Sequence, residues 1–298
     1  MFMMRSLHSS RRETAPSRWS SKVSRPAEPS DAQCVALPMT HSRHNPAMRP
    51  DASPPRRSAR AGGLADIDRD HHHPPVMAMW GVVAVGSAIF ALMVYAVRSG
   101  LAVGLDEAVL LALRDPQDLS DAWGPPWFED TAAELTALGG YPILTVVAVF
   151  VIAVLILLRH RAAALFLAGA LGGGTLLSTG LKSLFERPRP DLVDHLDRTF
   201  TSSFPSGHAT VSMLAYLTLA AVAIRFVPRH SVRVFIPVSA FLLALIIGGS
   251  RVYLGVHWPS DVIAGWAAGA TWASLCWLAA HYWTAHRATG DELGHSET

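Results

Sequence analysis

The sequence predicts an all-α integral membrane protein, in which a bundle of six transmembrane helices follows a disordered N-terminal tail. Half of the 298 residues are hydrophobic, and most of them lie after residue 75, in runs long enough to cross a hydrocarbon core of about 30 Å. None of these runs alternates between apolar and polar residues as a membrane β-strand does. Because backbone groups in lipid must be hydrogen-bonded within a helix or a closed barrel, helices are the expected spanning elements.

Residues 1–75 have the composition of a disordered segment. They are rich in Ser, Pro and Arg and show little apolar periodicity, so they cannot bury enough apolar surface to form a packed core. They also lack the uninterrupted apolar region of a cleavable signal peptide. The histidines His71, His72 and His73 have no second cluster of ligands at metal-binding spacing, and we therefore predict no metal site.

Six spans are predicted from residue 76 onward, and they define one membrane domain over residues 76–284. The first span covers residues 76–97, which contain no charged residue. The remaining five cover residues 142–158, 162–181, 209–224, 234–249 and 262–283. The fourth and fifth spans are short, which is consistent with spans whose ends are polar and functional. Residues 285–298 are predicted to form a short polar tail.

The charges of the connecting loops predict how the bundle is oriented. The loop between the first two spans has eight acidic residues and two basic ones, Arg98 and Arg114. The turns at residues 159–161 and 225–233 are basic instead. Because basic loops remain in the cytoplasm, these two turns and the Arg-rich tail are expected there. The opposite ends of the spans are expected to face the outside of the plasma membrane.

The overall charge and the cysteine content argue against other classes of protein. The net charge is +2, and the basic residues do not form a stripe interleaved with aromatic residues, so nucleic-acid binding is not predicted. Cys34 lies in the polar tail and Cys276 in the last span, which gives no disulfide framework. The expected partner is the lipid bilayer.

Three polar segments, each at the end of a predicted span, contain the candidate active-site residues. The first segment, residues 182–190, reads K-x6-R-P. Lys182 closes the third span, and Arg189 lies in an Arg-Pro-Arg-Pro run whose prolines stiffen the backbone. Because a guanidinium binds two phosphate oxygens at once and an ammonium acts as a point charge, both residues are predicted to bind phosphate. The other charged residues of this loop are predicted to be solvated: Arg187, Asp191, Asp194, Asp197 and Arg198.

The second segment is P-S-G-H at residues 205–208, directly before the fourth span. Ser206 is suited to cap that helix, whose free backbone N–H groups make a ready anion site. Gly207 lets the backbone approach a phosphate closely. An unperturbed histidine titrates near pH 6.5, so His208 is predicted to protonate the leaving group as a general acid.

The third segment is S-R-x5-H-x3-D at residues 250–261, in which Arg251 adds a third fixed cation. Pro259 begins the sixth span, so Asp261 in its first turn lies one turn after His257 and can reach the imidazole. A hydrogen bond between them would fix the ring tautomer and leave the other nitrogen free to attack phosphorus. We therefore predict His257 as the nucleophile, Asp261 as its orienting carboxylate and a phosphohistidine as the intermediate.

In this order the three segments resemble the signature of the type 2 phosphatidic acid phosphatase superfamily. The motifs cover residues 182–261, and the layout of six helices resembles the membrane branch of that superfamily over residues 76–284. The resemblance implies metal-independent hydrolysis of a lipid phosphate or diphosphate through a histidine intermediate, without a cofactor. It also implies that five residues bind the phosphate: Lys182, Arg189, Ser206, Gly207 and Arg251.

Two other functions fit some of these observations. A vanadate-dependent haloperoxidase resembles this superfamily in its anion pocket, but those enzymes resemble soluble helical bundles. A lipid or phosphate transporter also needs membrane helices and cations, but transporters usually place polar groups near the bilayer midplane. The lipid stays open among phosphatidic acid, phosphatidylglycerol phosphate and a polyprenyl diphosphate. The outward orientation favours an envelope carrier lipid such as undecaprenyl diphosphate.

Overall fold

The computed structural model of the protein describes residues 76–193 and 202–296, with side chains up to residue 286. Within these ranges the chain is helical and has no β-strand beyond an isolated bridge between Arg114 and Ala122. The all-α prediction is confirmed for this part of the chain. Residues 1–75, for which a disordered tail is predicted, lie outside the described residues, and the three tail histidines lie there with them.

Eight α-helices make up the described part of the chain. In chain order they are α1 (Val76–Arg98), α2 (Val103–Leu111), α3 (Pro126–Ala137), α4 (Tyr141–Leu157), α5 (Arg161–Phe185), α6 (Gly207–Ala223), α7 (His230–Tyr253) and α8 (Pro259–Ser296). A 3₁₀ turn, Ile224–Phe226, continues α6. Prolines lie in the first turns of α3, α4 and α8, where the missing N–H group is not needed for a helical hydrogen bond.

Five of the described helices are each long and apolar enough to cross a membrane: α1, α5, α7, α8, and α6 together with its 3₁₀ turn. They coincide with five of the predicted spans. The helices α3 and α4 meet at a bend of 45° and pass the same test only as a pair. The prediction of an integral membrane bundle is confirmed, and the predicted second span corresponds to α4 within this bent pair.

The loop between the first two spans forms two helices, α2 and α3, which are not among the predicted elements. Leu105 and Val109 of α2 are exposed, whereas Asp106 and Leu110 are buried against the bundle. Exposed apolar residues opposite a buried face are typical of a helix that lies in the membrane interface. One carboxylate of α2, that of Asp106, therefore points into the protein.

The helices α6 and α8 pack closely because glycines replace larger residues where they cross. A Cβ atom built on Gly269 would lie 2.5 Å from the backbone oxygen of Thr210, and one built on Gly265 would lie 2.8 Å from that of Ser206. This close contact holds the start of α8 next to the start of α6.

The directions of the last four helices bring the polar segments to one end of the bundle. Lys182 lies in the last turn of α5, and Arg251 lies in the last turn of α7. Gly207 begins α6, and Asp261 lies in the first turn of α8. The end of the bundle that contains these residues is called the polar end below.

Candidate active site

The three polar segments of the sequence meet at the polar end. The backbone N–H of Ser206 donates to the carbonyl oxygen of Asp261 at 3.0 Å, which joins the starts of α6 and α8. The Arg189 guanidinium donates to the Val256 carbonyl at 2.6 Å. The Lys182 ammonium donates to a carbonyl of the loop before α6 at 2.8 Å. Segments that are distant in the sequence thereby form one cluster of charged and polar groups.

His257 and Asp261 form a buried pair, with exposed fractions of 1% and 0%. His257 follows α7, and Asp261 is placed one turn later by the Pro259 start of α8. Nδ1 of His257 is 3.6 Å from Oδ2 of Asp261. The Ser203 hydroxyl donates to the same carboxylate oxygen and lies 3.3 Å from Nδ1. Ser203 therefore bridges the ring and the carboxylate.

These neighbours set the charge and the orientation of His257. Oxygen atoms surround Nδ1, which favours a proton on that nitrogen, whereas Nε2 faces the Arg189 guanidinium at 3.3 Å. Burial lowers the pKa of His257 from 6.5 to about 4; the hydrogen bond and the charge of Asp261 oppose this shift, while Arg189 and Lys182 add to it. The imidazole is therefore uncharged at neutral pH, and its Nε2 faces a cation.

Lys182, Arg189 and Arg251 supply positive charge to the cluster. The charges of Arg189, Arg251 and Asp261 all act on the Lys182 ammonium. Arg251 is 1% exposed, and its guanidinium donates to the Thr136 hydroxyl of α3 at 3.3 Å. The structure thus brings the three predicted cations together. Fixed cations of this kind stabilise the negative charge that develops on phosphoryl oxygens during transfer.

Ser206 and Gly207 form the start of α6. The Ser206 hydroxyl accepts a hydrogen bond from the backbone N–H of Ala209 at 3.5 Å and caps the helix, as the sequence predicts. A Cβ atom on Gly207 would lie 3.0 Å from Cε of Lys182, so glycine leaves room for the lysine side chain. The first turn of α6, an end of a helix that attracts anions, is therefore adjacent to a cation.

His208 occupies the second position of α6, at the same end of the bundle as His257. Its Nε2 is 3.7 Å from the position that a Cβ atom on Gly140, the residue before α4, would take. This position is compatible with a general acid at the site, and that role stays a prediction.

Arg187 belongs to the cluster, and the prediction that it is a solvated loop charge is wrong. Its side chain is 12% exposed, and its guanidinium pairs with Oδ1 of Asp261 at 2.5 Å and with Oδ2 of Asp106 at 2.9 Å. Arg187 and Arg189 lie in the same Arg-Pro-Arg-Pro run, and the spacing does not indicate that both turn inward. Of the other loop charges, Asp191 is exposed, and Asp194, Asp197 and Arg198 lie outside the described residues.

Two further residues of the cluster are missing from the predicted set. Ser203 ends a short run of polar residues, and one residue, Phe204, separates it from the P-S-G-H motif. That run is the signal that could have indicated it. Asp106 is one of eight acidic residues in its loop, and no motif distinguishes it from the others.

The charge of the cluster comes from Lys and Arg side chains and from carboxylates paired with them. Both Asp106 and Asp261 are bound by Arg187. In the part of the chain that the structure describes, no group of three or more His, Cys, Asp or Glu side chains is arranged to hold a metal ion.

Comparisons with known proteins identify the family of this chain. A sequence model of the PAP2 superfamily matches residues 161–285, a range that includes every predicted site residue. Phosphatidylglycerophosphatase B of Bacillus subtilis is 32% identical over 147 residues, which are 48% of this chain and 71% of the relative. Undecaprenyl-diphosphatase of Sulfolobus acidocaldarius is 38% identical over 73 residues, 24% of this chain and 31% of that protein.

A solved structure has the same fold. The crystal structure of a transmembrane PAP2 type phosphatidylglycerolphosphate phosphatase from Bacillus subtilis superposes with a TM-score of 0.58 at 27% sequence identity. The superposition covers 65% of this chain and 93% of that one.

Proposed function

The chain belongs to the PAP2 superfamily and is a lipid phosphatase of the PAP2 type, and we propose that it cleaves its substrate through a phosphohistidine on His257. One observation carries this proposal. Nδ1 of His257 is held beside Ser203 and Asp261, while Nε2 faces Arg189 at 3.3 Å. A neutral imidazole oriented in this way is an activated nucleophile for an anion held by the neighbouring cations.

In the first step the phosphate is bound between the cations and the start of α6. The Nε2 lone pair of His257 forms a bond to phosphorus, and the bond from phosphorus to the leaving oxygen breaks. The electron pair of that bond stays on the leaving oxygen, which takes a proton from His208. The imidazole becomes positively charged at this stage, and the Asp261 carboxylate stabilises it.

In the second step water cleaves the phosphohistidine. His208, now neutral, accepts a proton from the water as its oxygen attacks phosphorus. The bond between phosphorus and Nε2 breaks, and its electron pair returns to the imidazole. Inorganic phosphate leaves, His208 is protonated again, and the enzyme regains its initial state.

We propose that Lys182, Arg189, Arg251, Ser206 and Gly207 bind the transferred phosphoryl group. Positive side chains and backbone N–H groups at a helix start can neutralise the three equatorial oxygens without a metal ion. The activity is therefore expected to persist when a chelator such as EDTA is added, and no cofactor is expected to be required.

The proposed substrate is a lipid that carries a terminal phosphate or diphosphate. One relative is named for a phosphatidylglycerol phosphate and another for undecaprenyl diphosphate, and both compounds present the same chemical end to the cluster. Selection between them depends on how the apolar helices accept the lipid tail. We favour undecaprenyl diphosphate because the predicted orientation places the site outside the cytoplasm.

We propose the following arrangement in the membrane. The bent pair α3 and α4 forms a sixth span, the bundle of residues 76–284 lies in the plasma membrane, and the polar end faces the extracytoplasmic side. The basic turn at residues 159–161 lies at the opposite end of the bundle, in agreement with the positive-inside rule.

A panel of purified lipids in detergent tests the proposed function. Phosphate release is measured from phosphatidic acid, phosphatidylglycerol phosphate and undecaprenyl diphosphate. The wild type is compared with His257→Gln and with a control, His160→Gln, which changes a histidine at the end of the bundle opposite the site. We expect release by the wild type and the control, and a loss of about 1000-fold or more in His257→Gln. Wild-type rates in His257→Gln would contradict the proposal, and no release from undecaprenyl diphosphate would remove our favoured substrate.

A further inference from the structure

We propose that Asp106 is a positioning residue for the reaction: acting through Arg187, it holds the Asp261 carboxylate in the orientation that His257 requires. This inference rests on the proposed function. It assigns a role in catalysis to α2, a helix that lies outside the sequence motifs and connects the first two spans.

The contacts form a continuous path from α2 to the nucleophile. Oδ2 of Asp106 accepts a hydrogen bond from the Arg187 guanidinium at 2.9 Å, and another nitrogen of that guanidinium donates to Oδ1 of Asp261 at 2.5 Å. Oδ2 of Asp261 is the oxygen that faces Nδ1 of His257. Arg187 thus binds one carboxylate oxygen, and the other faces the imidazole and accepts hydrogen bonds from the Ser203 hydroxyl and the Trp258 N–H.

Ser260 of α8 forms hydrogen bonds with both Asp106 and Arg187. Its backbone N–H donates to Oδ1 of Asp106 at 2.9 Å, and its hydroxyl donates to Oδ2 of Asp106 at 2.5 Å. The Arg187 guanidinium donates to the Ser260 hydroxyl at 2.8 Å. Because α8 begins with a proline and Ser260 follows it, Asp106 satisfies a backbone N–H at the helix start that has no partner within the helix.

The path is buried, which makes its geometry costly to disturb. Asp106 is 1% exposed and Asp261 is 0% exposed, while Arg187 is 12% exposed and lies over the Trp258 ring at 5.5 Å. A buried charge is tolerated only when it is paired and hydrogen-bonded. The hydrogen bond to Asp106 therefore restricts the movement of the Arg187 guanidinium, and with it the movement of the Asp261 carboxylate.

The position of Asp261 matters because the imidazole is aligned by that carboxylate. If Asp106 loses its charge, the guanidinium keeps its hydrogen bonds to Asp261 and to the Ser260 hydroxyl but loses the second carboxylate that fixes its position. The distance from Oδ2 to Nδ1, already 3.6 Å, then becomes less defined. A misplacement of about 1 Å at a reacting group costs on the order of 100-fold in rate.

The test is the single-turnover cleavage of a radiolabelled lipid phosphate from the panel, with full-length enzyme in excess over substrate. At enzyme concentrations that saturate the substrate, the rate constant does not depend on the fraction of misfolded enzyme, because every substrate molecule is bound to an active one. Asp106→Asn keeps an oxygen for the Ser260 N–H and removes the charge that binds Arg187. We expect its saturating rate constant to fall about 10-fold to 100-fold, with the half-saturating concentration of active enzyme unchanged.

Glu107→Gln is the matched control, because it removes a carboxylate from the next position of α2, where the side chain is only partly buried. Its rate constant is expected to equal that of the wild type. Arg187→Met should be slow as well, and the double variant Asp106→Asn with Arg187→Met should be no slower than Arg187→Met alone, because Asp106 acts through Arg187.

The outcomes separate this inference from the proposed function. A wild-type rate constant in Asp106→Asn would overturn the inference while leaving the function intact. So would losses that multiply in the double variant, because they would mean that Asp106 acts independently of Arg187. Absence of cleavage by the wild type itself, over the whole panel, would overturn the proposed function and the inference with it.

Discussion

The Ser203 hydroxyl contacts both members of the buried pair at the centre of the site. It donates to Oδ2 of Asp261 and lies 3.3 Å from Nδ1 of His257. Since its own proton goes to the carboxylate, its oxygen can accept the proton on Nδ1. The direct distance between His257 and Asp261 is 3.6 Å, longer than an ordinary hydrogen bond. Ser203 therefore completes the link between the ring and its carboxylate.

Replacement of Ser203 by alanine should slow the reaction without weakening substrate binding. The ring would lose the acceptor nearest to Nδ1, and we expect kcat to fall about 10-fold to 100-fold while KM changes less than about threefold. Ser183→Ala is the control, because its exposed hydroxyl binds only a carbonyl of α5 among the described contacts. Equal kcat values in Ser203→Ala and the wild type would show that the hydroxyl does not orient the nucleophile.

His257 should also make stability depend on pH. Burial lowers the pKa of the folded-state imidazole to about 4, whereas the ring of an unfolded chain titrates near 6.5. Between these values the unfolded state binds the proton and the folded state does not, so the stability that the neutral ring contributes is lost as the pH falls from about 6.5 towards 4.

The melting temperature in detergent should therefore fall more for the wild type than for His257→Gln when the pH is lowered from 7 to 5. Glutamine does not titrate, and the other groups that titrate in this range are common to both proteins. A parallel decrease in the two proteins would mean that His257 keeps an ordinary pKa in the folded state.

At the scale of helices, the crossing of α6 and α8 determines whether the site can assemble. Gly265 and Gly269 let the backbones approach, and the closest point lies one turn from the Ser206 cap. The start of α6, which we propose binds phosphate, and the Asp261 carboxylate of α8 are held together by this packing. A side chain at either glycine would push the two helix starts apart.

Gly269→Ala should destabilise the bundle. Its Cβ atom would lie 2.5 Å from the Thr210 carbonyl oxygen and 2.9 Å from Cβ of Met213, and overpacking of this kind costs about 1–3 kcal/mol. The matched control is Gly172→Ala in α5, where a Cβ atom would have no neighbour within 4 Å. Thermal unfolding in detergent should show a lower melting temperature for Gly269→Ala only. If the two variants melt alike, the close crossing does not limit stability.

The spanning helices are predictable from the sequence because long apolar runs indicate segments that lie in lipid. The placement of Asp261 one turn after His257 is predictable as well, because Pro259 marks the start of α8. The inward turn of Arg187 is not predictable in this way. Its neighbour Arg189 has the same side chain and is likewise followed by a proline, and the contacts with Asp106 and Asp261 distinguish Arg187 from it. Such contacts join residues distant in the sequence, so periodicity and spacing do not reveal them.

For the whole molecule, the polar end and the basic turns lie at opposite ends of one bundle, and this separation predicts the side of the membrane on which hydrolysis occurs. Trp123 belongs to the polar end, where its carbonyl accepts a hydrogen bond from the Tyr253 hydroxyl. His160 lies between α4 and α5 at the other end. The two positions are therefore suitable reporters of orientation.

Single cysteines at these two positions test the orientation. In a background with Cys34→Ser and Cys276→Ala, a membrane-impermeant maleimide applied to intact cells should label Trp123→Cys and should leave His160→Cys unlabelled until the cells are permeabilised. The reverse pattern would place the active site in the cytoplasm and would remove the argument for an envelope carrier lipid.

Trapping the covalent phosphohistidine that we propose on His257 tests the mechanism most sharply. Wild-type enzyme is mixed with a lipid substrate radiolabelled in its terminal phosphate, quenched in alkali within the first turnover, digested and mapped by mass spectrometry. We expect label on the peptide that contains His257 and none in His257→Gln. Label on another residue, or rapid release of phosphate by His257→Gln, would contradict it.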